Sequence, residues 1–286
     1  MVKLLAETAS AKINLFLRVV GRRPDGYHEL DSIFVPVSLG DCVAVEMRPG
    51  PESKVTLQCD VPSIAYADTN LASRAARAFM SEFGISARVL VRLTKRIPVG
   101  AGLGGGSSDA GAVLRILAAL SRIDIRDDRL AKIAVSLGAD VPFFLDPRPS
   151  RVRGIGERIE PLATFAKLNL VIAAPDVEVP TGAIFKALAP GDFSGPASED
   201  DIVAILSGEF GQHQIVNDLA RAAIERYPAI GELKNGLEKA GAKVASMTGS
   251  GGAVFGIFRD GDESVRAAES IREAYPQASI FAVSSL

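Results

Sequence analysis

The chain has 286 residues, 48% of them apolar, enough to fill the cores of two domains of about 150 residues. Its formal net charge of −2 argues against a nucleic acid or an anionic membrane held by bulk charge. Cys42 and Cys59 sit in no metal or redox spacing and read as buried thiols of a reducing compartment, and two histidines are too few for a His-based metal cluster. Met1–Glu7 meets an acid before any signal-peptide core, and no apolar run approaches the roughly 20 residues of a membrane span. The expectation is a cytoplasmic protein with small-molecule partners, no nucleic acid and no membrane.

Residues 2–47 read as β. From Ile13 to Val20 the pattern alternates, with Ile13, Leu15, Leu17 and Val19 on one face and Lys12, Asn14 and Phe16 on the other. A lysine at the start of such a strand is either an edge residue in solvent or part of a polar site, and Asn14 on the same face favours the polar site. Pro24-Asp-Gly26 is a turn signal that presents Tyr27 and His28. This pair can stack on and hydrogen-bond a base or sugar ring, or can be a packed Tyr beside a surface His. Strands follow at Ser32–Val37, Asp41–Met47 and Lys54–Gln58. A helix capped by Asp68 or Thr69 then runs to Phe83, stopped by Gly84, with Asn70 in its first turn.

Next, a strand, Ala87–Leu93, leads into Pro98-Val-Gly-Ala-Gly-Leu-Gly-Gly-Gly-Ser-Ser108 and then a helix with Val113, Leu117 and Leu120 on one stripe. A glycine loop between a strand and a helix N-terminus offers backbone N–H groups and a partial positive charge to phosphate. Ser107 and Ser108 are candidates to cap that helix or to meet phosphate or a metal ion. The loop is not a Walker A sequence, because no lysine follows the last glycine. Gly100-x-Gly102-x-x-Gly105 formally fits a dinucleotide fingerprint, and Asp124 and Asp127 sit near enough in number to serve as its ribose acid, but the strand that should precede such an acid is missing.

A helix capped by Asp127 carries Leu130, Ile133, Ala134 and Leu137 and stops at Gly138. Asp140 follows, between that helix end and an apolar, strand-like run. A carboxylate beside Val141, Pro142, Phe143 and Phe144 is partnered or functional. Residues 146–158 read as a domain linker, and Leu168–Ala174 as a strand. Residues 175–185 read as a loop holding Thr181 and Phe185, and 190–200 as a second, mobile loop. Helices are expected from Asn217 to before Pro228, from Ile230 to Ala240 and from Asp262 to Tyr275. Between the last two, Ser246–Phe255 is a glycine turn running into a strand, and Ser279–Val283 is the final strand.

The spelling Pro98-x-Gly-x-Gly-Leu-Gly-Gly-Gly-Ser-Ser108 is similar to the phosphate loop of the GHMP kinases. Ala11-Lys-Ile-Asn-Leu15 with Asp25-Gly-Tyr-His28, and Leu137-Gly-Ala-Asp-Val-Pro142, resemble segments of the diphosphocytidyl-methylerythritol kinase branch, and Ser246-Met-Thr-Gly-Ser-Gly-Gly-Ala-Val-Phe255 resembles the third signature of the GHMP kinases. The resemblance implies an α+β fold in two domains. One, over residues 1–152, resembles domain 2 of ribosomal protein S5. The other, over 153–286, is ferredoxin-like, with the last strand a candidate to return to the first domain.

It implies ATP-dependent phosphorylation of the 2-hydroxyl of a cytidine diphosphate-linked polyol, with Mg2+, by a monomer or weak homodimer. Lys12 and Asp140 would be catalytic, Lys12 also holding Asp140 ionised. Pro98, Gly100, Gly102, Leu103, Gly104, Gly105, Gly106, Ser107, Ser108 and Asn70 would bind ATP, with Ser108 a candidate contact for the metal. Asn14, Tyr27, His28, Thr181, Phe185, Gly249 and Gly251 would bind the acceptor, with Tyr27 and Phe185 on opposite faces of the cytosine. A kinase for a small alcohol without a base is disfavoured by the aromatic residues, and a catalytically dead binding module by Lys12 and Asp140.

Overall fold

A computed structural model describes residues 2–65 and 68–286, so Met1 of the N-terminal segment lies outside the described residues. The chain resolves into two interleaved units. Unit 1 comprises Met1–Ala11, Leu39–Ile97 and Gly104–Pro147; unit 2 comprises Lys12–Ser38, Pro98–Leu103 and Arg148–Leu286. Lys12–Ser38 and the first half of the glycine loop go with the later sequence.

Two long strands, β1 (Lys3–Arg22) and β2 (His28–Pro49), pair with each other and contribute to both units. In unit 1, β3 (Lys54–Cys59), helix α1 (Leu71–Glu82) and β4 (Ala87–Thr94) follow. The C-terminal half of β2 pairs antiparallel with β4, which pairs parallel with β3. Helices α2 (Gly105–Ser121) and α3 (Asp128–Leu137) complete the unit. Phe79, Val91, Val113, Leu117 and Leu130 meet in its core, each from the apolar stripe of its own element. Alternation also explains the cysteines. Cys42 lies between buried Asp41 and Val43 and so is exposed, and Cys59 is half-buried, so neither is the core thiol expected.

Unit 2 adds a hairpin of β5 (Ser150–Gly154) and β6 (Arg158–Pro161) beside the N-terminal part of β2. This hairpin replaces the expected linker; its strands are too short for alternation to stand out among prolines and arginines. Beyond it come β7 (Asn169–Ala174), α4 (Thr181–Lys186), α5 (Glu199–Ser207), α6 (Ala220–Arg226) and α7 (Pro228–Lys239). Then follow β8 (Val244–Met247), β9 (Val254–Phe258), α8 (Gly261–Ala274) and β10 (Ser279–Ser284). The sheet order is β10-β7-β9-β8, all antiparallel, with α7 and α8 packed on it. Strand β10 pairs with β7, and Ser285 just after it bridges Val37 of β2, all within unit 2.

Further local expectations are corrected. Asn70, not Asp68 or Thr69, caps α1, its Oδ1 accepting from Ala72 N and its Nδ2 donating to Ile64 O. The run after Asp140 is a turn and a short 3-10 helix, Phe143–Leu145, because the fixed φ of Pro142 suits a helical start. Thr181 and Phe185 lie on α4 rather than in a loop, its helical pattern being only six residues long. Residues 190–200 hold a 3-10 turn and the start of α5, capped by Ser198. Asn217 precedes α6 instead of starting it. No helix among the described residues is long and apolar enough to cross a membrane.

Candidate active site

The first glycine loop alternates its backbone hand. Gly100, Gly102 and Gly104 have φ of +73°, +76° and +72°, a region that an L side chain resists. Such alternation turns successive N–H groups toward one side, as in anion-binding nests. Gly104 is the N-cap of α2 and offers no capping side chain, so the helix begins with its first N–H groups available to a ligand. Ser107 and Ser108 are therefore not caps. Ser108 is fully buried and its Oγ donates to Ser10 O at 2.7 Å, which fastens α2 to β1.

The second glycine turn, Thr248–Ala253, joins β8 to β9 and lies against the first loop. A Cβ on Gly102 would stand 2.7 Å from Thr248 O, and one on Gly249 would stand 2.8 Å from Gly102 O. The two loops meet backbone to backbone, and only glycine allows that approach. Ala253 N donates to Ala101 O at 3.0 Å across the same seam.

Strand β1 brings Lys12 to this seam. Its backbone N donates to Leu103 O at 3.0 Å. The residue is 3% exposed, and its ammonium donates to Asn14 Oδ1 at 2.6 Å and lies 4.7 Å above the Phe34 ring. Asn14 in turn donates from Nδ2 to Ser32 Oγ and from its backbone N to Thr248 Oγ1 at 2.8 Å. Burying an ammonium is costly, and this one is held among polar partners beside the glycine backbone. In the second turn, Ser250 Oγ lies 2.6 Å from Thr181 Oγ1, which ties the start of α4 to that turn. Gly251 has φ +116°.

Asp140, half-buried, occupies the turn after α3, closed by Val141 N donating to Gly138 O at 3.2 Å. The segment after it is locked to α2. A Cβ on Gly111 would stand 2.6 Å from Phe144 Cβ, and the Arg115 guanidinium donates to Phe144 O.

The aromatic residues gather elsewhere in unit 2. The His28 ring lies 5.4 Å from that of Phe185, tilted by 30°, and 5.8 Å from Phe193, edge to face. Tyr27 stands 62% exposed on the turn that Gly26 N and Arg23 O close. Burial and the nearby Arg22 charge both lower the His28 pKa below its usual 6.5. A neutral imidazole offers one donor and one acceptor, which suits the edge of a nucleobase.

The fold thus unites Lys12, Asn14, Gly100, Gly102, Leu103, Thr181, Gly249 and Gly251 in unit 2, with Pro98 at the start of the same loop. His28 and Phe185 meet in the aromatic group. Asn70, Gly104–Ser108 and Asp140 belong to unit 1. Three contributors escaped sequence reasoning. Asn217 donates from Nδ2 to Met247 O at 2.8 Å and Gly249 O at 3.0 Å while its Oδ1 accepts from Leu219 N, clamping the second turn. Thr248 receives Asn14, and Phe193 completes the aromatic group. Each acts across a long sequence distance, and only Asn217 carried a local signal, which read as a helix start.

Known proteins share this fold. The model described as GHMP kinases N terminal domain matches residues 70–146, and GHMP kinases C terminal matches 201–277. A protein of Symbiobacterium thermophilum named 4-diphosphocytidyl-2-C-methyl-D-erythritol kinase is 40% identical over 266 residues, covering 92% of this chain and 93% of its own. A relative of the same name from Anaeromyxobacter sp. (strain K) is 43% identical over 262 residues, 89% of this chain and 80% of its own. The crystal structure of a 4-(cytidine 5'-diphospho)-2C-methyl-D-erythritol kinase superposes with a TM-score of 0.85 at 38% identity, covering 98% of this chain and 99% of that one. Homoserine kinase from Cytophaga hutchinsonii shares the fold at 18% identity, with a TM-score of 0.74 over 99% of this chain and 94% of its own.

Proposed function

The chain belongs to the GHMP kinase family, in its 4-diphosphocytidyl-2-C-methyl-D-erythritol kinase branch, and on that premise we propose that it moves the γ-phosphoryl group of ATP to the 2-hydroxyl of 4-diphosphocytidyl-2-C-methyl-D-erythritol, in the non-mevalonate route to isoprenoid precursors. The observation that supports this most is the seam of two glycine loops with the buried Lys12 anchored to it through Leu103 O.

Phosphoryl transfer asks the protein mainly for positioning and for charge compensation. In this reading the N–H groups of Gly100–Ser108 cradle the phosphates of ATP, and Asn70 lies near the nucleotide at the head of α1. Asp140 accepts the proton of the acceptor hydroxyl as its oxygen bonds to the γ-phosphorus and the bond to the bridging oxygen breaks. The Lys12 ammonium offsets charge on the transferring group. Asn14, Thr181, Gly249 and Gly251 line the path of the polyol diphosphate. Tyr27, His28 and Phe185 take the cytosine, with His28 reading its edge.

Magnesium, when bound, neutralises charge on the β- and γ-phosphates. Among the described residues no group of three or more His, Cys, Asp or Glu could hold a metal ion. The ion would therefore be carried by phosphate oxygens and water. Ser108 Oγ keeps its acceptor lone pairs while it donates to Ser10 O, but it is fully buried. The same reading expects a cytoplasmic enzyme, monomeric or weakly dimeric.

The test is ATP consumption with magnesium against the cytidylated erythritol, free methylerythritol phosphate, mevalonate and homoserine. Turnover with the cytidylated compound alone is the expected result. Turnover with mevalonate or homoserine would sink the substrate while keeping the chemistry, and silence across the panel would sink the activity.

A further inference from the structure

A buried charge cluster in unit 1 has no part in the mechanism above. Lys95 follows β4, and its Nζ donates to Asp109 Oδ2 at 2.6 Å and to Asp41 Oδ2. The Lys95, Asp41 and Asp109 side chains are 5%, 0% and 3% exposed. Asp41, on β2, also accepts from Arg96 N at 2.5 Å and Ile97 N at 2.9 Å through Oδ1. Those two amides belong to the backbone that enters the glycine loop. Asp109 lies in the second turn of α2, the helix that leaves it. A Cβ on Gly105 would stand 3.6 Å from Asp41 Oδ2 and 3.1 Å from Ile97 Cγ2, so the two stems touch.

One ammonium therefore bridges a carboxylate that holds the entering stem and a carboxylate that rides on the leaving stem. The arrangement is a poor way to gain stability. Taking such charged groups out of water is costly, and apolar replacements of such clusters are often neutral or stabilising. The Asp109 Oδ1 atom is buried with no hydrogen-bond partner, a further cost. What the cluster does supply is geometry: short, directional, charge-assisted contacts that fix one stem against the other.

We propose that Lys95, Asp41 and Asp109 are positioning residues, a buried charge clamp that sets the spacing between the exit of β4 and the start of α2 and so preforms the glycine loop for the nucleotide phosphates. The clamp rests on the reading of that loop as a phosphate site. It acts through the loop backbone and touches neither substrate. A loosened clamp leaves the loop sampling several shapes, of which few present their N–H groups together. The loss then falls on ATP and spares the acceptor.

The experiment compares wild type with Lys95→Met, Asp41→Asn and Asp109→Asn. The readouts are KM for ATP, KM for the acceptor, kcat, thermal midpoint, and amide hydrogen exchange across residues 97–109 without nucleotide. The expected result is a rise in ATP KM of about tenfold to a hundredfold, as for a misplacement remote from the reacting atoms. Acceptor KM should stay within twofold, exchange in 97–109 should quicken, and melting should stay cooperative. Asn at position 41 keeps an oxygen for the Arg96 and Ile97 amides, so Asp41→Asn should be the mildest of the three. Equal changes in both KM values, or unchanged exchange in 97–109, would overturn the clamp. If Lys95→Met fails to fold, the two Asn variants carry the same readouts. If wild type neither binds nor consumes ATP, the phosphate-site reading has failed. The exchange comparison then still decides whether the cluster holds the loop.

Discussion

Around Gly102 and Gly249 the candidate site is made of backbone; around His28 and Phe185 it is made of side chains. The glycine seam has no slack, since a single added carbon on either loop would fall within 2.8 Å of a carbonyl oxygen. The aromatic group is looser, with ring centroids 5.4 and 5.8 Å apart and Tyr27 mostly in solvent. The contrast follows the chemistry of the proposed ligands. Phosphate is met by N–H groups at fixed positions, which backbone supplies at no side-chain entropy. A nucleobase is told from other groups by its faces and edges, which only side chains can read.

The largest effect is expected where the seam is filled. Gly102→Ala adds left-handed strain of about 1–3 kcal/mol to the clash with Thr248 O, so kcat/KM should fall by about 10²-fold or more. Circular dichroism would check that the fold survives, and an active Gly102→Ala enzyme would break the comparison. Next comes Asn217→Ala, which strips two donors from the carbonyls of Met247 and Gly249. Leaving buried carbonyls unsatisfied costs about 1–3 kcal/mol of stability, measurable by urea unfolding. KM should rise for both substrates, because Asn217 is a side chain that serves the backbone end.

Phe185→Ala should act on one substrate only. Stacking on a base is worth about 1–3 kcal/mol, so acceptor KM should rise about tenfold or more with ATP KM unchanged. An equal rise in both would show that the aromatic group supports the seam instead of the base. The smallest effect is with pH. His28 is held below its usual 6.5, so its neutral form dominates above that value. Acceptor KM should stay flat above pH 6.5 and rise severalfold as pH falls and the ring is protonated. The His28→Asn variant should lose that rise, as read from acceptor KM across pH 5 to 8.

How far the sequence foretold this depends on how local each feature is. The glycine loop, the stripe of α3 and the Arg23–Tyr27 turn are written in neighbouring residues, and their signals survived folding. Asn70 shows the limit of local reading. Three capping residues stood in a row, and the choice fell to the one whose Nδ2 also reached Ile64 O. The β5–β6 hairpin was hidden because its composition reads as a linker, and α4 because six residues barely make a helical period. Lys12 could be suspected from a buried strand, but the link from its neighbour Asn14 to Thr248 could not. Asn217 and Phe193 draw their roles from residues far along the chain, and the Lys95 cluster is closed by Asp41 on a separate strand, so no short window on the sequence holds all the partners.

The interleaving of the two units bears on how the molecule is made. Lys12–Ser38 leaves the ribosome early, yet it belongs to the unit that is finished only at Leu286. Asn14 waits for Thr248, and Leu17 N waits for Val216 O. Until those residues emerge, the apolar faces of β1 and β2 within Lys12–Ser38 lack part of their final packing, and they are the surfaces that a chaperone would be called on to shield. For the same reason, expressing the halves on either side of Pro147 as separate polypeptides would strand the lysine on the wrong piece.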